Sequence, residues 1–156
     1  MDTNDYIRRI RYALMLDDAD AQKLMKLGGV DASTEQVVAW RSKEGEAEYS
    51  QCPDSSLAAL LSGLILDRRG PPPESAGSKP PTSERLDNNL MLKQMRVALS
   101  LRTEDVHSLI KTGGGKLGPT EVSAFFRKPD HRNYRSCGDQ VMRWFLKGLA
   151  SKRLAD

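Results

Sequence analysis

The sequence repeats itself. Laid over itself with a displacement of 85 positions and no gap, it pairs Arg11, Ala13, Leu14 and Leu16 with Arg96, Ala98, Leu99 and Leu101. Asp20, Leu24, Lys26, Gly28 and Gly29 fall on Asp105, Leu109, Lys111, Gly113 and Gly114, and Val37 and Ala39 on Val122 and Ala124. Tyr49, Cys52 and Asp54 meet Tyr134, Cys137 and Asp139, while Leu61, Gly63, Leu64 and Arg68 meet Leu146, Gly148, Leu149 and Arg153. Roughly thirty percent of the aligned positions are identical, and others exchange like for like, Trp40 with Phe125 and Leu60 with Phe145. A fixed internal period means that one small module has been duplicated, so whatever fold the first half adopts the second half must adopt as well. The repeats run over 4–70 and 89–156. Between them, 71–88 begins PPPESAGSKPP and reads as an extended, mobile Pro/Ser-rich linker.

Within each repeat the apolar residues recur at helical spacing. Ile7, Ile10, Tyr12 and Leu14 mark one face of a first helix, with arginines opposite. Asp17 or Asp18 can cap a second helix that ends at Gly28–Gly29, and Ser33 with Gln36 forms a capping box for a third. Asp54 and Asp139 stand where they could cap a fourth, the most apolar of the set. In the second repeat Pro119 suits the first turn of the third helix. The expectation is an all-α tandem repeat of two four-helix units, the first three helices of each having a helix-turn-helix rhythm. Gly63 and Gly148 recur inside the fourth helices, where glycine costs about 1 kcal/mol relative to alanine. They suggest a close helix approach, and we expect the two fourth helices to pack on each other there, about an approximate twofold axis.

The segment LIKTGGGKLGPTEV, 109–122, imitates a phosphate-binding loop. The repeat argues against that reading. Under Gly113–Gly114–Gly115–Lys116 lies Gly28–Gly29–Val30–Asp31, so only the first two glycines are shared. A Walker loop also needs Ser or Thr after the lysine, on a strand-to-helix turn, and Lys116 precedes Leu117 between helical flanks. A glycine pair that ends one helix and turns to the next accounts for the shared part.

With IRRIRYAL, EQVVAWRSK, VSAFFRKPDHRNYRSCGD and FLKGL in this order, the chain resembles the YehS-like family of small bacterial proteins, which carry two copies of a domain of unknown function. The shared YxxCxD, Gly-Gly and FLKGL elements carry the likeness over nearly the whole chain outside the linker. The resemblance implies a duplicated fold unit and a bacterial source, and it brings no activity, cofactor or catalytic residue with it.

Charge separates the two copies. From Asn4 to Gly70 there are nine Lys/Arg and eleven Asp/Glu; from Asn89 to Asp156 there are thirteen and six. A polyanion should prefer the second repeat. Its densest positive segment is FRKPDHRNYR, 126–135, in which Arg127, Lys128, Arg132 and Arg135 surround Tyr134, with Lys116 near; cations beside an aromatic can hold a phosphate backbone and stack a base. These six are the candidate nucleic-acid-binding residues. The corresponding segment of the first repeat, SKEGEAEYS, is acidic. DNA or RNA is thus the expected partner of the second repeat, and a protein partner or homodimer, joined through loops of opposite sign, is the alternative. By analogy with small repressor domains, bases would instead meet Ser33, Thr34, Glu35 and Gln36, or Pro119, Thr120, Glu121 and Ser123, a set poor in Arg, Asn and Lys.

YSQCPD and YRSCGD invite a catalytic reading, because a thiol before a helix start can be activated. A nucleophile also wants a general base. The two histidines, His107 and His131, lie over Gln22 and Glu46, so no Cys–His pair is common to both copies. Cys52 and Cys137 read as small buried apolar groups. Two lone cysteines do not make a zinc site, no cofactor motif stands out, and the chain reads as non-enzymatic. No apolar run approaches the ~20 residues of a membrane span, and the charged N-terminus MDTNDYIRRI does not read as a signal peptide. The expected setting is the cytoplasm, with no membrane partner.

Overall fold

The computed structural model describes residues 1–71 and 86–155. Positions 72–85, most of the expected linker, lie outside the described residues. Among those described, every regular element is a helix: α1 (Thr3–Leu14), α2 (Asp18–Leu27), α3 (Thr34–Arg41), α4 (Asp54–Arg69), α5 (Asn88–Ala98), α6 (Thr103–Thr112), α7 (Pro119–Ala124) and α8 (Asp139–Ala155). The chain divides into two compact units, one of Met1–Arg11 with Met15–Leu86 and one of Tyr12–Leu14 with Asp87–Asp156.

Local signals fix the helix ends. Asp17, not Asp18, caps α2: its carboxylate accepts from the Asp20 N–H at 2.8 Å while the Asp20 carboxylate accepts from the Asp17 N–H at 3.0 Å. Ser33 and Gln36 make the same reciprocal pair at α3, as the sequence predicts. Helix α2 stops at Gly28, and Gly29 takes φ +104° so that the Val30 N–H can reach back to the Met25 carbonyl. Gly113 and Gly114, with φ +106° at the latter, end α6 in the same way. That left-handed turn favours glycine on conformational grounds, with no phosphate involved.

On α1 the buried face runs through Ile7, Ile10 and Arg11, the i, i+3, i+4 set, whereas Tyr12 is 60% exposed. The expectation that Tyr12 belongs to the core face, and all the arginines to the opposite one, is therefore corrected. Arg11 stays inside because its charge is answered there. Its Nε donates to the Leu16 carbonyl at 3.1 Å and its Nη2 to Asp18 at 2.7 Å, and Arg41 closes on the same carboxylate at 2.8 Å. The second repeat solves the same corner differently. Arg96 donates to the Thr103 hydroxyl at 3.2 Å and lies 4.1 Å over the Phe126 ring, so a cation–π contact replaces the ion triad.

The tightest packing in each unit is between its second and fourth helices. A Cβ on Gly28 would lie 1.9 Å from the Ala59 carbonyl oxygen, and one on Gly63 would lie 1.7 Å from that of Leu24. The second unit reproduces the crossing with Gly113 against Trp144 and Gly148 against Leu109, each at 1.8 Å. Gly63 and Gly148 thus serve a crossing within their own repeat. This corrects the expectation that they mark a meeting of the two fourth helices. Leu24, Met25, Leu57, Leu60, Leu61 and Leu64 fill the space beside the first crossing, and Leu109, Ile110, Met142, Phe145 and Leu146 fill the second.

The third glycine of the apparent phosphate loop has its own cause. A Cβ on Gly115 would stand 2.6 Å from the Trp144 ring and 2.7 Å from the Ile110 side chain. In the first repeat the two positions hold Val30 and Ala59. The bulk that one residue gives up, the other takes.

Candidate functional site

The candidate residues gather at the α7 end of the second unit. The connection from α7 to α8 is built on the same backbone hydrogen bonds as that from α3 to α4. His131 N–H donates to Lys128, Tyr134 to His131 and Arg135 to Ala124, where Glu46 donates to Lys43, Tyr49 to Glu46 and Ser50 to Ala39. One clamp holds each loop. Asn4, with no exposed surface, donates from Nδ2 to the Ser50 carbonyl at 2.9 Å and accepts at Oδ1 from the Cys52 N–H at 2.8 Å. Asn89 donates to the Arg135 carbonyl at 2.9 Å and to that of Phe125 at 3.0 Å, and accepts from Cys137 at 2.9 Å. Sequence reasoning passed over this pair, although identical asparagines 85 positions apart were a readable signal.

On this shared frame the side chains differ in sign. Lys116, Lys128 and Arg132 are exposed. Arg135 is engaged, donating from Nη1 to Glu121 at 2.7 Å. Arg127 spends Nη1 on the Asn133 carbonyl at 3.1 Å, which braces the loop from within. Tyr134 is half-buried, and desolvation holds its phenol above the ordinary range, with Asp87 adding to the effect. Glu121 also accepts from the Gly118 N–H at 3.3 Å, so one carboxylate ties the turn after Lys116 to the loop carrying Lys128 and Arg132. Trp144, half-buried against Gly114 and Gly115, adds an aromatic that the sequence reading did not include.

Three of the eight residues that the repressor analogy would aim at bases are occupied. Ser33 and Gln36 are the capping box, and Glu121 is shared between Gly118 and Arg135. Six residues separate α2 from α3, and six separate α6 from α7, longer than the three- to four-residue link of a tight helix-turn-helix.

The cysteines are structural. Cys52 and Cys137 are 1% and 4% exposed, and burial, reinforced by Asp54 and Asp139 respectively, pushes both thiols up to about 12. A thiol held protonated is a poor nucleophile. Asp54 does not cap α4, which corrects that expectation. Pro53 occupies the cap of α4, and Asp54, the first helical residue, accepts from the Thr3 hydroxyl at 3.0 Å. Asp139 likewise accepts from Asn88 at 2.8 Å. In each unit the carboxylate joins the start of the first helix to the start of the fourth. His107 has a counterpart after all. Its Nε2–H meets the Leu117 carbonyl at 2.8 Å just as Gln22 Nε2 meets Ala32 at 2.9 Å, and each pins the turn that follows its helix.

The first unit carries an open groove of about 540 Å³ beside α3, with Val38, Ala39 and Trp40 among its lining residues and Glu35, Glu48 and Ser50 completing the wall.

The family model for a protein of unknown function, DUF1456, matches residues 3–70 and again 88–153. The chain belongs to the DUF1456 family. Its two matches coincide with the two halves of the internal repeat, which is the relation the YehS-like resemblance implied. The chain is 40% identical over 151 residues to the uncharacterized protein YehS of Escherichia coli strain K12, covering 97% of this chain and 96% of that one. No solved structure matches the chain. Among the described residues of this DUF1456 protein, no helix is long and apolar enough to cross a membrane.

Proposed function

We propose that this DUF1456 protein binds nucleic acid through its second repeat, by contacts to the phosphate backbone that do not depend on sequence. The observation that carries the reading is the duplicated loop. The two loops share their backbone bonds and asparagine clamps, so packing gives no reason for one to be acidic and the other basic. Lys116, Lys128 and Arg132 supply the free charge, Arg127 and Arg135 hold the loop in shape, and Tyr134 and Trp144 offer half-exposed rings for stacking. The helix-turn-helix rhythm serves here as a scaffold, because Ser33 and Gln36 are spent on a cap and Glu121 on an ion pair.

Three phosphate contacts give a salt slope of about −2.7 on duplex DNA and about −2 on a single strand, so affinity should fall about 40-fold on duplex between 50 and 200 mM salt. Fluorescence anisotropy with labelled single-stranded DNA, duplex DNA and RNA tests this. Lys116→Ala, Lys128→Ala and Arg132→Ala combined should abolish the signal while the far-ultraviolet circular dichroism stays unchanged. Binding that keeps its affinity in the triple variant, or no binding at low salt, refutes the reading.

A second reading, a protein–protein adaptor, draws on the groove of the first unit, whose apolar lining and acidic wall suit a basic segment.

A further inference from the structure

The groove beside α3 and the basic loop after α7 occupy corresponding places in the two repeats and carry opposite charge. We infer that the groove of one copy receives the basic loop of a second copy of this chain, so that the protein self-associates through unlike faces of its two repeats.

The groove presents Glu35 and Glu48, both exposed, around an apolar lining of Val38, Ala39 and Trp40. The nearby cation Arg41 is hydrogen-bonded to Asp18 and acts on Glu48 only through space, and Glu35 and Glu48 both stay exposed. The loop presents Lys128 and Arg132, exposed, with Pro129 between them, also exposed. Proline suits an apolar floor and brings no N–H that would need a partner there. Arg127, Arg135 and the Asn89 clamp hold the loop in one shape, so little order has to be gained on docking. Each chain carries one groove and one loop. A pair of chains can therefore make the contact twice around a twofold axis, and an arrangement that does not close strings the copies into a chain.

This inference shares Lys128 and Arg132 with nucleic-acid binding but adds the first repeat's groove, and it is tested with no nucleic acid present. Sedimentation velocity on the full chain at low salt should show association that rises with protein concentration and disappears at high salt. Glu35→Lys with Glu48→Lys should weaken it at least about tenfold, and so should Lys128→Glu with Arg132→Glu, since each sets like charges against one another. Combining all four substitutions exchanges the signs, restores the wild-type net charge and should return association to within a few-fold of wild type. Circular dichroism checks that each variant is folded. A wild-type chain that stays monomeric at low salt up to its solubility limit overturns the inference. So does association that survives reversal of Glu35 and Glu48, or a fourfold variant no better than its parents. The groove reversal leaves Lys116, Lys128 and Arg132 in place, so loss of self-association with retained DNA binding separates the two proposals.

Discussion

Alanine at Gly63 should destabilise the first repeat, although alanine is the better helix former. At an exposed mid-helix site the exchange would gain about 1 kcal/mol. At Gly63 the new Cβ would sit 1.7 Å from the Leu24 carbonyl oxygen and 2.6 Å from the carbonyl carbon. Ordinary contact begins at 3.4 Å, and the obstacle is backbone, which cannot swing aside as a side chain tip can. Helices α2 and α4 would have to part by more than an ångström along the tightest packing in the unit, forfeiting dispersion at every neighbouring side chain. Overpacking of this kind costs about 1–3 kcal/mol and sometimes more. A backbone obstacle puts the cost at the upper end, about 3 kcal/mol, and the helix gain of about 1 leaves a net loss of about 2 kcal/mol. Urea unfolding of the full chain by circular dichroism measures it. The midpoint should fall, and Gly148→Ala should act alike in the second unit, through Leu109. Gly138→Ala is the control, since nothing lies within 4 Å of the place its methyl group would take and its backbone is not left-handed; it should be near neutral. A Gly63→Ala chain as stable as wild type, or more so, would show that the crossing is loose and refute the packing argument.

Asn4→Ala should cost about 3 kcal/mol, because it strands a buried N–H and a part-buried carbonyl at once; urea midpoints check it, and Asn89→Ala, at a half-buried site, should cost less. Both thiols are raised in the folded chain to about 12 against about 8.5 unfolded, so their contribution is intact below about pH 8.5 and is lost as pH rises toward 12. Thermal melts should therefore decline over that window, and the decline should be shallower in a chain with Cys52→Ala and Cys137→Ala. Glu121→Gln should tighten nucleic-acid binding, since it frees Arg135 and removes a carboxylate beside Lys116's turn, and anisotropy titrations would read this directly. Trp144→Ala and Gly115→Val should each destabilise alone yet cost at least about 1 kcal/mol less together than their sum, a coupling that a double-mutant cycle in urea would detect.

The helices and their order were legible because the signals were local: two reciprocal capping boxes, glycines at helix ends, apolar residues at helical spacing. What escaped was set by partners distant in sequence. Gly63 announces a close approach, but only the fold says that Leu24 makes it. Arg11 looks like a surface charge until Asp18 and Leu16 are brought to it. Asp54 has the residue type of a cap, yet Pro53 takes the cap and Thr3, far along the chain, takes the carboxylate. At the candidate site the sequence supplied the positive charge, and it could not show that Arg135 is answered by Glu121 while Lys128 and Arg132 stand exposed.

The duplication sorts the residues by what they do. Pairs that stayed identical, such as Asn4 with Asn89, Cys52 with Cys137 and Gly63 with Gly148, meet the same structural demand in both copies. Other pairs changed and were compensated by a neighbour. Val30 with Ala59 became Gly115 with Trp144, Asp18 with Arg41 became Thr103 with Phe126, and Gln22 became His107 while keeping its carbonyl. Those exchanges leave the module as it was, which is why neither Gly115 nor His107 calls for a function. The loop charge is different. Between SKEGEAEYS and RKPDHRNYR the backbone bonds are preserved while the sign of the charge reverses, and among the described residues Glu121 answers Arg135. On the reading proposed above, that reversal is directed outward, at whatever the exposed Lys128 and Arg132 meet.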